Sequence, residues 1–157
     1  MATEKWIAGS GQGFTWGSLF GTEINTTIGI ANAILSTVSV SNQSSLDIFM
    51  DISYTAGGTV TTVAPNYLGF YLYPLNQDGS TYGDGNYASA TASTPPGTYW
   101  VGNIIVPVGA STTVQGTVTR IIMPPGTFNM VIFNGTGVAF FNGTNVCKYR
   151  TYNRSVA

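Results

Sequence analysis

Histidine is absent from the 157 residues, and cysteine occurs once, as Cys147. The first absence removes the commonest general base and the commonest metal ligand. The second excludes an internal disulfide and leaves the thiol without a histidine to activate it. Cys147 is therefore expected to be a small packing residue in a strand, on the side of Tyr149. Charge is just as scarce. Asp, Glu, Lys and Arg make up 7% of the chain, six acids and five bases, for a net charge of −1. An ordinary domain carries about 25%. So few bases do not build the field that a nucleic-acid backbone needs, and no nucleic-acid partner is expected. No run approaches the ~20 apolar residues of a membrane helix, so no membrane partner is expected either. Nor does an apolar run follow Lys5 as it would in a secretory signal. The five Asn-x-Ser/Thr triplets, at Asn25, Asn42, Asn134, Asn142 and Asn153, are what a chain rich in Asn and Thr holds by chance.

What is present is Thr, Ser, Asn, Gly and aromatic residues, with 43% hydrophobic residues overall. Thr and aromatics favour strands, Gly and Asn favour turns, and the length suits one domain. The expectation is an all-β chain. A surface this poor in charge suits a protein packed against neighbours, because charge is depleted at interface cores.

Residues 1–32 lack strong alternation and are expected to form an irregular N-terminal arm or lead-in, with 33–157 as a single sandwich domain. The arm carries Trp6, Phe14, Trp16 and Phe20. These rings either pack on the domain's own sheets or dock on a neighbouring subunit. Burial would contribute ~1.5–3 kcal/mol each before ordering costs.

Strands are expected over Ala33–Val40, Leu46–Tyr54, Leu68–Leu75, Tyr99–Val106, Thr112–Met123, Phe128–Phe133, Val138–Phe141 and Asn145–Tyr152. The clearest alternation puts Leu46, Ile48, Met50, Ile52 and Tyr54 on a core face and Asp47, Phe49, Asp51 and Ser53 on the other. Val114, Val118 and Ile122 fall on one side of a later strand. Gly57-Gly58 reads as a turn, and Pro74–Pro96 as a long loop of the kind that carries function. Two similar corners, Pro95–Tyr99 and Pro124–Phe128, each precede a strand. About eight strands with Gly/Pro turns and no helix predict an antiparallel two-sheet β-sandwich, with the jelly roll as the candidate topology.

Little in this pattern carries chemistry. Asp47 and Asp51, about 13 Å apart on the exposed side of one strand at ~3.3 Å per residue, are too far apart for a glycosidase pair. Their candidate partners are Lys148 and Arg150, expected on opposite faces of the last strand so that at most one pairs across a sheet. The stretch Asn76–Ser80 with Asp84–Asn86 is rich in oxygen ligands but matches no calcium-loop spacing, so a turn-rich loop is the expectation, with no metal and no cofactor. Tyr82, Tyr87 and Trp100 are candidates for a sugar-stacking platform, as in a lectin-like module.

The segments Leu68–Gly79 (LGFYLYPLNQDG), Ile121–Phe128 (IIMPPGTF) and Cys147–Asn153 (CKYRTYN), with Phe14–Trp16 and Asn32–Ser36 before them, resemble a family of small structural proteins encoded among the virion genes of tailed bacteriophages. The resemblance runs along nearly the whole chain. It implies a non-enzymatic virion component, a capsid decoration or cement protein, made in the host bacterial cytoplasm and carried on the capsid surface. The implied partner is the major capsid protein, and a closed dimer or trimer the implied carrier. The expected contact elements are the aromatics Trp6, Phe14, Trp16 and Phe20 and the loop residues Tyr82 and Tyr87. A tail, neck or head-fibre component and a carbohydrate-binding module are the competing expectations.

Overall fold

The computed structural model describes residues 4–9, 16–25, 28, 33–60, 62, 66–76, 78, 82, 95, 97–108, 112–139 and 144–156. Nine strands are found among them, and no α-helix: β1 (Glu4–Ala8), β2 (Gly17–Ser18), β3 (Ala33–Ser41), β4 (Phe49–Val60), β5 (Asn66–Pro74), β6 (Trp100–Val106), β7 (Thr112–Ile122), β8 (Thr127–Gly135) and β9 (Val146–Val156). One sheet runs β1-β9-β4-β7, with the two-residue β2 also on β9, and the other runs β3-β8-β5-β6. Every pairing is antiparallel. Apart from β2, consecutive strands give the orders 1-8-3-6 and 2-7-4-5, which is the jelly-roll arrangement of an eight-stranded sandwich.

The core lies between the sheets. Met50, Ile52 and Tyr54 of β4 face Leu68, Phe70 and Leu72 of β5 and Phe128, Met130 and Ile132 of β8, with Val114, Cys147 and Tyr149 completing the layer. Cys147 is buried as expected, and burial pushes its thiol pKa up. A second cluster, Ala33, Tyr71, Tyr73, Val131 and Phe133, lies on the outer side of the second sheet under Tyr82 and Tyr99.

Several local expectations are corrected. The expected lead-in is built into the sandwich: β1 is an edge strand on β9, and Leu19, Phe20, Ile24 and Ile28 are core residues. A Cβ on Gly9 would collide with Thr151 Oγ1 and Asp47 Oδ2, so only glycine lets β1 leave the sheet there. Gly57 and Gly58 lie within β4 rather than in a turn. A Cβ on Gly57 would sit 2.5 Å from the Thr144 backbone nitrogen, so its bare face admits the crossing chain. Val138 and Ala139 follow β8 without forming a strand, and 140–141 lie outside the described residues. Most of Pro74–Pro96, including Tyr87, lies outside them too, as does Phe14.

The register of β7 is the correction with the most consequence. Met50 pairs Ile121 and Ile52 pairs Val118, so β7 holds one residue more than β4 over this step. Arg120 stands at the irregularity with φ of 58°, a left-handed conformation rare for a side-chain-bearing residue. The bulge reverses the alternation. Val114 is inside, but past the bulge Ile121 and Met123 turn in and Ile122, expected inside, is 75% exposed.

Candidate functional site

Asp51 and Asp47, expected on an exposed side, are 3% and 2% exposed. Each is buried because neighbouring strands supply its partners. Asp51 sits on β4 between β7 and β9. Its Oδ2 accepts from Arg150 Nε at 3.0 Å and Nη2 at 2.9 Å, two charge-assisted bonds converging on one oxygen. Its Oδ1 accepts from the Tyr152 hydroxyl at 2.8 Å and from the Arg120 backbone N–H at 3.0 Å. The last bond holds the left-handed bulge residue. Asp47 belongs to the turn before β4. There Asn42 accepts from its N–H and donates to its C=O, and Asn153 Nδ2 donates to its Oδ1 at 2.9 Å. This turn also explains why Leu46 and Ile48 are exposed: the regular strand begins only at Phe49.

Lys148 and Arg150, expected on opposite faces, are two residues apart and share the outer face of β9, where Cys147 and Tyr149 point inward. Arg150 pairs with Asp51, while Lys148 stands opposite Ser53 and Ser18 and is exposed.

Aromatic rings surround the Asp51 carboxylate. Trp6, from β1, meets Tyr152 edge-on at 5.2 Å and Phe49 edge-on at 5.7 Å, and Phe49 stacks on Tyr152 at 5.6 Å. Trp16 lies 4.8 Å from the Arg150 guanidinium carbon, and Trp6 lies 6.0 Å from that of Arg120. Both contacts are within the range of a cation–π interaction. Trp6 is 47% exposed, so much of its indole faces water despite these neighbours. Burial, then the hydrogen bond from its hydroxyl to Asp51, raise the Tyr152 pKa, and Arg120 opposes them. Trp6, Asp51, Thr119, Arg120, Arg150 and Tyr152 line a depression of about 360 Å³ on this face.

Positive charge is segregated to this sheet. All five bases lie in its strands: Lys5 in β1, Arg120 in β7, and Lys148, Arg150 and Arg154 in β9. β3, β5, β6 and β8 contain no charged residue. Trp6 and Trp16 are thus brought together with Asp51, Lys148 and Arg150. Phe20 is not among them, being buried in the core, and Tyr82 packs edge-on against Tyr73 on the opposite sheet. Arg120, Tyr152 and Phe49 were missed as site residues. Arg120 and Tyr152 reach the patch through the bulge and the β4–β9 register, neither of which has a local sequence signature.

Among the described residues no group of three His, Cys, Asp or Glu side chains is placed to hold a metal ion. Among the described residues no helix is long and apolar enough to cross a membrane. A scan against protein-family models gave no match, and a search of the curated proteins gave none.

Proposed function

We propose that this chain is a non-enzymatic structural protein of a tailed-bacteriophage virion, a decoration protein that binds the outside of the capsid shell through the outer face of the β1-β9-β4-β7 sheet. The resemblance in the LGFYLYPLNQDG, IIMPPGTF and CKYRTYN segments supports the virion assignment. The observation that carries the docking face is the gathering of Arg120, Lys148, Arg150 and Arg154 with Trp6 and Trp16 on one side of a sandwich whose other sheet has no charged residue in its strands. Arginine and tryptophan are the residues in which binding energy concentrates at protein interfaces. On this face Arg150 engages Asp51, while Arg120 and Lys148 are exposed and add further positive charge. The surface therefore complements an acidic patch on the major capsid protein.

The jelly roll is also used by viral shell proteins, which fits the assignment at the level of fold. Several copies in a closed dimer or trimer, each touching its own shell subunit, would convert modest single contacts into firm attachment.

The test is co-sedimentation of purified protein with shells lacking it, followed by a cryo-electron reconstruction of the decorated particle. Wild-type protein is expected at regular lattice sites, with the β9 face against the shell. Trp6→Ala and Arg120→Ala should bind more than tenfold more weakly, a loss above ~1.4 kcal/mol. Density confined to the tail or neck, or full occupancy by both variants, would overturn the reading.

A further inference from the structure

We infer that the outer face of the second sheet carries a binding site for a neutral oligosaccharide, formed by the exposed Tyr67, Trp100 and Asn103 over the buried Tyr71, which is 5% exposed. These four residues line an open depression of about 280 Å³.

Two glycines shape it. Tyr67 pairs across the sheet with Gly135, and a Cβ on Gly135 would come within 2.8 Å of the Tyr67 ring atoms Cε1 and Cζ. The ring thus lies across the glycine, along the sheet rather than upright from it, and more than a third of the residue remains exposed. Gly69 lies between Tyr67 and Tyr71 on the same face. A Cβ there would meet Tyr71 Cε2 at 3.1 Å and Tyr67 Cε2 at 3.3 Å, so both rings converge over it. Trp100 enters from the edge strand. The β5–β6 register steps from Phe70↔Gly102 to Tyr71↔Trp100, which sets the indole opposite Tyr71 with 51% of the residue exposed. Asn103 stands opposite Gly69 and is exposed.

The chemistry of this surface selects its ligand class. An aromatic ring presents a negative face, and tyrosine and tryptophan combine an apolar body with a polar handle. A pyranose matches both. Its C–H face is weakly positive and stacks on such a ring, while its hydroxyls meet amide and phenol groups at the edge. Asn103 supplies one donor group and one acceptor there. No residue of the four strands is charged, so the strands themselves offer an ionic ligand no counter-charge. The open, shallow form suits a chain binding along the surface. Tyr67 and Trp100 are set about four residues apart along the sheet, or ~13 Å at ~3.3 Å per residue. That spans more than one sugar ring, so an oligosaccharide should bind better than its monomer. Binding here needs only the isolated chain, so this inference stands apart from docking on a shell.

The experiment is titration of the intact protein with cellohexaose, maltohexaose and chitohexaose, followed by tryptophan fluorescence and calorimetry. At least one hexamer is expected to bind with a Kd of about 1 mM or tighter, and its monosaccharide more weakly. Trp100→Ala should weaken that binding at least tenfold while circular dichroism and the urea midpoint stay near wild type. Tyr67→Ala should do the same but uncovers Gly135, so the edge residue Trp100 is the decisive variant. Tyr82→Ala should leave binding unchanged. Failure of all three hexamers to bind, or equal binding by Trp100→Ala, would overturn the inference. So would sedimentation showing that Trp100→Ala dissolves a dimer in a protein that binds no saccharide, because a second copy would then own the face.

Discussion

Replacing Asp51 by alanine removes one carboxylate and four accepted hydrogen bonds, two from Arg150, one from Tyr152 and one from the Arg120 backbone. Breaking a buried ion pair by deleting one partner destabilises by about 3–5 kcal/mol, mainly because the other charge is left uncompensated. Here the partner is not fully buried. The Arg150 side chain is 36% exposed and the Asp51 side chain 4%. The guanidinium can therefore recover part of its hydration, which places the expected loss near the lower bound, about 3 kcal/mol. For a domain of this size that corresponds to a fall in Tm of about 6–12 °C. Asp51→Asn keeps an oxygen for Tyr152 and the Arg120 N–H but turns an amide toward Arg150, so it should cost less, about 1–2 kcal/mol.

A double-mutant cycle separates the ion pair from simple loss of packing. Arg150→Met retains much of the side-chain volume and removes the charge. In the Asp51→Ala/Arg150→Met protein no guanidinium is left unpaired, so the double variant should be at least ~1 kcal/mol more stable than the sum of the single losses predicts. Urea unfolding at constant pH, with midpoints and slopes for all four proteins, provides the measurement. An Asp51→Ala protein within ~0.5 kcal/mol of wild type, or strict additivity in the cycle, would refute the view that Asp51 organises this face.

Three further outcomes are expected. Arg120→Gly relieves a left-handed conformation but loosens the unfolded chain, so its stability should stay within ~1 kcal/mol of wild type while shell binding weakens; a loss above ~2 kcal/mol would mean that the side chain, not the backbone bond to Asp51, holds the bulge. Gly57→Ala should destabilise by about 1–3 kcal/mol, because its methyl group meets the Thr144 backbone rather than a side chain that could swing away; an unchanged urea midpoint would contradict that packing. Burial raises the Cys147 thiol pKa, and burial followed by the thiolate charge raises that of the Tyr54 hydroxyl. With folded values above the unfolded ones, the stabilisation is complete below the unfolded pKa and is lost as pH rises. Stability should therefore fall by about 1.4 kcal/mol per pH unit from about pH 8.5 for the thiol, and more steeply above about pH 10, where Tyr54 joins. Cys147→Ala should abolish the fall between these two values, and identical pH profiles for the two proteins would show that the thiol does not titrate on unfolding.

The sandwich was legible because alternation within single strands is a local signal. Met50, Ile52 and Tyr54 could be assigned to the core from their spacing alone, and so could Cys147 beside Tyr149. What was illegible depended on pairing between distant segments. The alternation of Val114, Val118 and Ile122 predicts one buried face, but a single extra residue at Arg120 exchanges Ile122 for Ile121, and only the pairing with β4 reveals it. Leu46 and Ile48 continue the pattern of the strand in sequence, while Asn42 and Asn153 hold Asp47 in a turn that the pattern ignores. β1 is short and charged, and it reads as a lead-in until its partner on β9 is known. The candidate sites failed to show for the same reason. Tyr67 is an ordinary strand tyrosine until Gly135 is placed opposite it.

The jelly-roll order also explains how so few charges produce a two-faced molecule. β3, β4 and β5, consecutive in the chain, alternate between the sheets, as do β7, β8 and β9. A strand bearing Arg120 is therefore followed by the charge-free β8, and β8 by β9 with its three bases, without any block of like charge in the sequence. Spread along the chain, the five bases look like background. Folded, they share one sheet, while the other presents tyrosine, tryptophan and amide groups to solvent. Coulomb attraction to an acidic partner then acts on one side of the molecule and not on the other. A protein bound through the β9 face would necessarily turn Tyr67 and Trp100 away from that partner, because the two outer faces lie on opposite sides of one core. Attachment through one sheet thus leaves the other open, and the same topology that hides both surfaces in the sequence keeps them from competing in the fold.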